Sequence, residues 1–155
     1  MITIRPARAE EADALTDICV RSKAYWGYDE TFMNACHAEL VVTRANIENS
    51  RFMVAALKGV PVAVSEIVLD QGVANLERLF VDAPAIGKGA GRALYDDAVF
   101  WARSNGAKRL RIEADPFAES FYHARGAVTI GDVASGTVPG RRIPLLIQAL
   151  DSAIG

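Results

Sequence analysis

Residues 76–92 constrain this chain more than any other stretch. Leu76-Glu77-Arg78-Leu79-Phe80-Val81 is an apolar, strand-like run. Asp82-Ala83-Pro84-Ala85-Ile86 leads out of it, and Gly87-Lys88-Gly89-Ala90-Gly91 then places three glycines in five residues ahead of a helical pattern. Glycine reaches positive φ without steric cost and lets the backbone approach a ligand closely. The first N–H groups of a helix have no partner inside it, and the helix dipole favours an anion there. Strand, glycine loop and helix start, in that order, predict an anion cradle made by the backbone of Gly87 to Arg92, with Lys88 and Arg92 adding charge. A phosphorylated ligand is the natural guest. The plain alternative is a strand-to-helix turn that is merely glycine-rich; for a glycine motif taken alone, the two readings stand even.

Two well-known phosphate loops do not fit. A Walker A loop requires Gly-Lys followed at once by Ser or Thr, whereas Gly89 follows Lys88. A dinucleotide fingerprint requires GxGxxG near the start of a parallel βαβ unit. Here the spacing is GxGxG, downstream of a hairpin-rich block.

Elements around the loop alternate in type. Ile2 to Arg5 reads as a short edge strand ended by Pro6. Ala12, Leu15, Ile18, Cys19 and Ser22 recur at helical spacing, with Glu10, Glu11 and Asp13 near the helix start, where the dipole favours acids. The pattern breaks at Tyr25-Trp26-Gly27-Tyr28. A second helix is expected from about Asp29 to Leu40, and Thr43 is placed to N-cap a short turn through Ile47. Arg51 to Leu57 and Val60 to Leu69 flank Lys58-Gly59 as the strands of a hairpin, and Ala74 to Val81 makes a third strand. After the loop, Leu94, Ala98, Trp101 and Ala102 share one helical face until Asn105-Gly106 stops the helix. Arg109 to Glu113 is a strand. Asp115-Pro116 starts another helix, Asp as N-cap and Pro at the first helical position, and Gly126 ends it. Val128 to Ile130 begins a late strand, Gly131 to Gly140 is a loop, and Ile143 to Leu150 closes as a strand. This order predicts a mixed α/β (α+β) fold.

Composition bounds the function. The 155 residues suit one domain spanning 1–155, and 51% hydrophobic with 23% charged residues exclude bulk disorder. A net charge of −2 argues against a nucleic-acid binder but leaves room for a local basic site. Cys19 and Cys36 form neither a disulfide framework nor a metal-ligand pattern, and His37 and His123 stand apart, so no metal site is expected. The N-terminus lacks a long apolar run after a basic start, and no stretch approaches 18 uninterrupted apolar residues. Neither a signal peptide nor a membrane span is expected, and the expected setting is soluble and cytoplasmic.

Leu79 to Ala127 resembles the GCN5-related N-acetyltransferases (GNAT). The family loop, Q/R-x-x-G-x-G/A, is matched at both glycines by Ile86-Gly87-Lys88-Gly89-Ala90-Gly91, with Ile86 where Gln or Arg is usual. Val81-Asp82-Ala83-Pro84 looks like the family's lead into that loop. The second motif, N-x-x-A-x-x-F/L-Y-x-x-x-G-F, is matched by the run from Asp115 to Ala127, with Asp115 in place of Asn and Ala127 in place of the aromatic. The resemblance implies a central, mostly antiparallel twisted sheet flanked by helices. It also implies acetyl-CoA as cofactor, with coenzyme A as product. Leu79, Phe80 and Val81 then hold pantetheine and polarise the thioester, while Ile86, Gly87, Lys88, Gly89, Ala90, Gly91 and Arg92 hold pyrophosphate, and Asp115 and Tyr122 complete the cofactor site.

The catalytic roles follow from the same resemblance. Tyr122 stands where the family tyrosine protonates the departing thiolate; a phenol and a thiol have comparable pKa values. Against this stands a pair of core aromatics, Phe121 and Tyr122, and the loop upstream tips the balance to the acid. Glu77 lies on the strand said to splay beside the cofactor, where a carboxylate takes the acceptor's proton directly or through water; an exposed sheet Glu is the equal alternative, and Glu66 is a weaker competitor. Tyr25, Trp26, Tyr28 and Phe32 either line the acceptor pocket or plug the core. Cys19 reads as a buried structural thiol. His37 and His123 read as surface groups, and Arg141-Arg142 reads as a solvated basic pair or an anchor for an acidic group.

The implied activity is N-acetyl transfer to a primary amine, of a small molecule or a peptide, by direct attack in a ternary complex. A homodimer is the assembly the family suggests. A non-catalytic acyl-CoA-binding module on the same fold is the first rival, and a nucleotide-binding protein is the second.

Overall fold

The computed structural model describes residues 1–150; the expected domain span of 1–155 thus includes five residues outside the described ones. The chain runs β1 (Ile2–Pro6), α1 (Ala12–Ala24), α2 (Glu30–Leu40), α3 (Arg44–Asn49), β2 (Arg51–Leu57), β3 (Val60–Asp70), β4 (Val73–Val81), α4 (Ala90–Ser104), β5 (Arg109–Glu113), α5 (Glu119–Ala124), β6 (Val128–Ala134) and β7 (Arg142–Ala149). Helices flank a seven-stranded sheet of order β1-β2-β3-β4-β5-β7-β6. β1 pairs antiparallel with β2, as β7 does with both β5 and β6, while β4 and β5 run parallel. A parallel pair needs a crossover connection, and α4 supplies it. The chain forms two compact units, Met1–Glu66 with Arg78–Tyr95, and Ile67–Glu77 with the chain from Asp96 onward.

In the first unit, α1 buries Leu15, Ile18 and Cys19, and α2 buries Cys36 and Leu40. Thr43 does cap α3, its hydroxyl accepting from Asn46 N–H at 3.0 Å. β2 and β3 meet at a two-residue turn, Lys58 at φ 53° and Gly59 at φ 80°, the left-handed pair whose twist suits a tight hairpin. Met53, Ala55, Ala63, Ala90 and Leu94 form a buried cluster, with Ile2, Ile4, Val62, Leu79 and Val81 packed against it. Small residues where α4 begins bring its first turn close to the strands.

In the second unit, β5 buries Leu110 and Ile112, β7 buries Leu146, and Ala98 and Ala102 of α4 are buried too. Two sequence expectations change here. The segment after Asp115 is not helical at once: Pro116–Ala118 is a 3-10 turn and α5 starts at Glu119. Asp115 is the N-cap as expected, its carboxylate accepting from Phe117 N–H at 2.9 Å with Pro116 next, but the first turn it caps is 3-10. The late loop is also shorter than Gly131–Gly140, because β6 continues to Ala134. Gly131, Asp132, Val133 and Ala134 pair with Leu145, Pro144, Ile143 and Arg142 across a register shift at Thr129/Gly131. Ile130 is the extra residue at that bulge, and the strand continues beyond it through Gly131.

Candidate active site

In the first unit, the chain leaves β4 under tight control. Asp82 donates its N–H to the Val62 carbonyl at 2.8 Å, and its own carbonyl accepts from Ala85 N–H at 2.8 Å. Its carboxylate accepts from Nε and one terminal nitrogen of Arg21, each at 2.9 Å. Those bonds hold the Asp82 carboxyl below the usual carboxylate range. Ala83–Ala85 makes a 3-10 turn, and Lys88 N–H donates to the Ala85 carbonyl at 3.2 Å.

Gly87 and Gly89 follow at φ +84° and +90°, and a β-carbon built on either meets nothing within 4 Å. The backbone turns left-handed here with open space before it, which side-chain-bearing residues adopt only at a cost of roughly 1–2 kcal/mol. The first bond of α4 runs from Ala93 N–H to the Gly89 carbonyl at 3.0 Å. The N–H groups of Ala90, Gly91 and Arg92 therefore have no carbonyl of α4 to bond. Ile86 to Gly89 are exposed, whereas Ala90 and Gly91 are buried. The expected loop of Gly87–Gly91 thus shortens: Ala90 and Gly91 form the first turn of α4, small because that turn packs on the cluster behind it. An open glycine backbone running into a fifteen-residue helix fits a phosphate group.

Arg78 was missed by sequence reasoning. Its Nε donates to Glu66 Oε1 at 2.8 Å, and its terminal nitrogens donate to the carbonyls of Leu40 and Val41 at 3.1 Å each. The guanidinium also lies 5.5 Å from the Phe52 ring centre and is only 11% exposed. It closes the C-terminus of α2 and locks that helix to β4. The signal was an Arg inside an apolar strand, which is rare unless the charge is paired. Glu66 also accepts from Ser50 Oγ at 2.7 Å, so both of its carboxylate oxygens are bonded within the fold. Cys19 lies beside this pair; burial pushes its thiol up to about 11, so it stays protonated and unreactive near neutral pH.

The early aromatics divide. Tyr25 is exposed and meets Trp26 edge-on at 5.2 Å. Tyr28 and Phe32 stack at 3.9 Å. Lys23, at 7% exposure, holds its Nζ 5.3 Å from the Tyr28 ring centre and 5.7 Å from that of Phe32. The stack thus serves one of the protein's own cations, a contact hidden from a reading in which Lys23 was just another helix residue.

In the second unit, Glu77 is exposed on β4, and Tyr122 is buried on α5, 6% exposed, edge-on to Phe121 at 5.2 Å. The expectation of a solvated Arg141-Arg142 pair changes for Arg141 alone, because Arg142 stays exposed. Arg141 faces Asp115 at 3.6 Å, with both groups mostly buried, and Arg142 Nε donates to Asp132 Oδ1 at 2.6 Å. The Arg141–Asp115 pair is mostly buried, whereas Arg142–Asp132 is a solvent-exposed surface pair. His123 is half exposed; its Nε2 meets Thr129 Oγ1 at 2.7 Å, and that hydroxyl donates to Glu119 Oε2 at 2.6 Å. His37 is exposed. Among the described residues, no group of three or more His, Cys, Asp or Glu is placed to hold a metal ion, and no helix is long and apolar enough to cross a membrane.

The model of the acetyltransferase (GNAT) family matches residues 20–127. The chain belongs to that family. The match contains β4, the glycine loop, α4 and the segment of Asp115 and Tyr122, so both motifs lie inside it. Solved GNAT structures share the fold. A GCN5-related N-acetyltransferase from Rhodopseudomonas palustris has a TM-score of 0.79 at 23% identity, covering 96% of this chain and 95% of that one. The PaiA N-acetyltransferase of Thermoplasma acidophilum, solved with coenzyme A, has a TM-score of 0.77 at 18% identity, covering 96% and 99%. The YncA protein of Salmonella typhimurium, solved with acetyl-CoA, has a TM-score of 0.70 at 19% identity, covering 100% and 97%. Among curated proteins, none matches significantly.

Proposed function

We propose that this GNAT protein transfers the acetyl group of acetyl-CoA to a primary amine, by direct attack of the amine on the thioester in a ternary complex. The observation that carries the reading is the cradle: two left-handed glycines in open space that run directly into the first turn of the fifteen-residue α4. Two fold neighbours solved with coenzyme A or acetyl-CoA support the choice of ligand. In this reading the amides of Gly87 to Arg92 hold the pyrophosphate, with Ile86 and the charges of Lys88 and Arg92 beside it. Backbone groups of Leu79, Phe80 and Val81 hold pantetheine and polarise the thioester carbonyl.

Two protons leave the acceptor nitrogen: the first goes to Glu77 before attack, and the second, released as the amide forms, returns to Tyr122 after its phenol has protonated the thiolate. Glu77, exposed on β4, takes a proton from the acceptor's ammonium, directly or through water. The amine nitrogen then bonds the acetyl carbon as the carbon–sulfur bond breaks, and Tyr122 gives its phenolic proton to the thiolate. The roles of Tyr122 and Asp115 rest on the matching motif. Tyr25 and Trp26 remain candidates for the acceptor wall, whereas Tyr28 is assigned to Lys23 first. The acceptor is a small-molecule or peptide amine, the acting unit is one GNAT domain, its assembly a homodimer, and its setting the cytoplasm.

A panel of primary amines with acetyl-CoA, followed by release of free thiol, tests the reading. Turnover with at least one amine supports it. Tight binding of acetyl-CoA with no thiol released from any amine favours a sensing module. Thermal stabilisation by ATP or NAD but not by acetyl-CoA overturns it.

A further inference from the structure

We infer that Arg21 is a positioning residue for coenzyme A: its hold on Asp82 sets the direction in which the glycine loop presents its backbone. The inference rests on the function proposed above. Asp82 is the pivot between β4 and the loop, and three of its groups are used at once. Its N–H is bonded to β3, its carbonyl starts the 3-10 turn, and its carboxylate is gripped by Nε and a terminal nitrogen of Arg21 at 2.9 Å each. From there short-range bonds run from Asp82 through Lys88, enclosing Gly87, and the first bond of α4 begins at Gly89. Ala85 N–H reaches Asp82, Ile86 N–H reaches Ala83, Lys88 N–H reaches Ala85, and Ala93 N–H reaches Gly89, at 2.8, 3.2, 3.2 and 3.0 Å. Holding Asp82 in place by its side chain as well as its backbone therefore fixes where the bonded turn that encloses Gly87 begins.

Geometry explains why Arg and not Lys stands at position 21. A planar fork fixes a carboxylate in two directions, where an ammonium fixes only a distance. Arg21 also sits on α1 four residues ahead of Tyr25, so the pair ties the cofactor loop to the helix that leads into the early aromatics. Its side chain is 53% exposed, and its loss costs little stability on its own. That separates positioning from folding.

Isothermal titration with coenzyme A tests the inference. Arg21→Met and Asp82→Asn should each weaken binding about fivefold, a fraction of the tenfold that 1.4 kcal/mol represents. The double variant should bind no worse than the weaker single, because both remove one interaction. Arg21→Lys should fall between wild type and Arg21→Met, and it carries the test if the Met variant does not fold. The matched control is Glu11→Gln, which breaks the Arg5–Glu11 pair of the same unit, bonded at 2.9 and 2.7 Å, and should leave coenzyme A binding unchanged. Wild-type affinity in Arg21→Met, or equal weakening in Glu11→Gln, overturns the inference alone. A wild-type protein that ignores coenzyme A overturns the proposed function and this inference with it.

Discussion

Tyr122 and Cys19 are both buried, yet they call for opposite expectations. Tyr122 sits in the motif where a proton donor for the thiolate is needed, so its hydroxyl matters more than its ring. Tyr122→Phe should lower kcat on the order of 10²-fold with coenzyme A affinity unchanged, measured by thiol release and by titration. Full activity in that variant across about pH 6 to 10 removes Tyr122 from the role of acid. Cys19, with its thiol raised to about 11 by burial, should resist iodoacetamide at about pH 8 in the folded protein and react once it is unfolded. Peptide mass spectrometry reads the difference. The sequence already made Cys19 a structural thiol from its place on an apolar helix face. The partners of Glu66, Lys23 and Arg141 were illegible, because each partner comes from a different element and no spacing rule links them.

At the scale of elements, periodicity carried most of the information. The hairpin, β5 and α3 fall close to where alternation, turn residues and a capping threonine put them. The misses lie where short-range bonding or strand pairing outweighs composition. Glycine and serine in 131–140 suggested a loop, but pairing with β7 extends β6 to Ala134. The glycine loop admits a direct test. Gly89→Ala forces a side-chain-bearing residue to φ near +90°. It should cost about 1 kcal/mol of stability and weaken coenzyme A binding, as melting and titration would show. Arg78→Met should be far more damaging. It strips the Leu40 and Val41 carbonyls of their donors and leaves Glu66 a mostly buried, unpaired charge, a loss of about 3–5 kcal/mol readable by chemical denaturation.

For the molecule as a whole, acid stability follows from paired carboxylates. The hydrogen bond from Arg5 holds Glu11 low, and the hydrogen bonds from Arg21 hold Asp82 low. A carboxyl depressed in the folded state contributes stability that is fully present above its unfolded value near 4 and is lost as pH falls through the folded value. Stability should therefore decline from about pH 5 downward. Asp82→Asn and Glu11→Gln should each flatten that decline at only a small cost in stability near pH 7. Equal acid slopes for wild type and both variants, followed by circular dichroism, refute the assignment.

The order of helices, hairpin, glycine loop and second motif was fixed by local rules, because hydrophobic period, turn chemistry and glycine spacing act over a few residues. They sufficed for the fold class and the family. Which strands become neighbours, which arginine grips Asp82, and which cation fills the Tyr28–Phe32 stack were decided only in three dimensions. These contacts join residues as far apart as Arg21 and Asp82, and burial, which makes such pairs worth forming, exists only once the chain has folded.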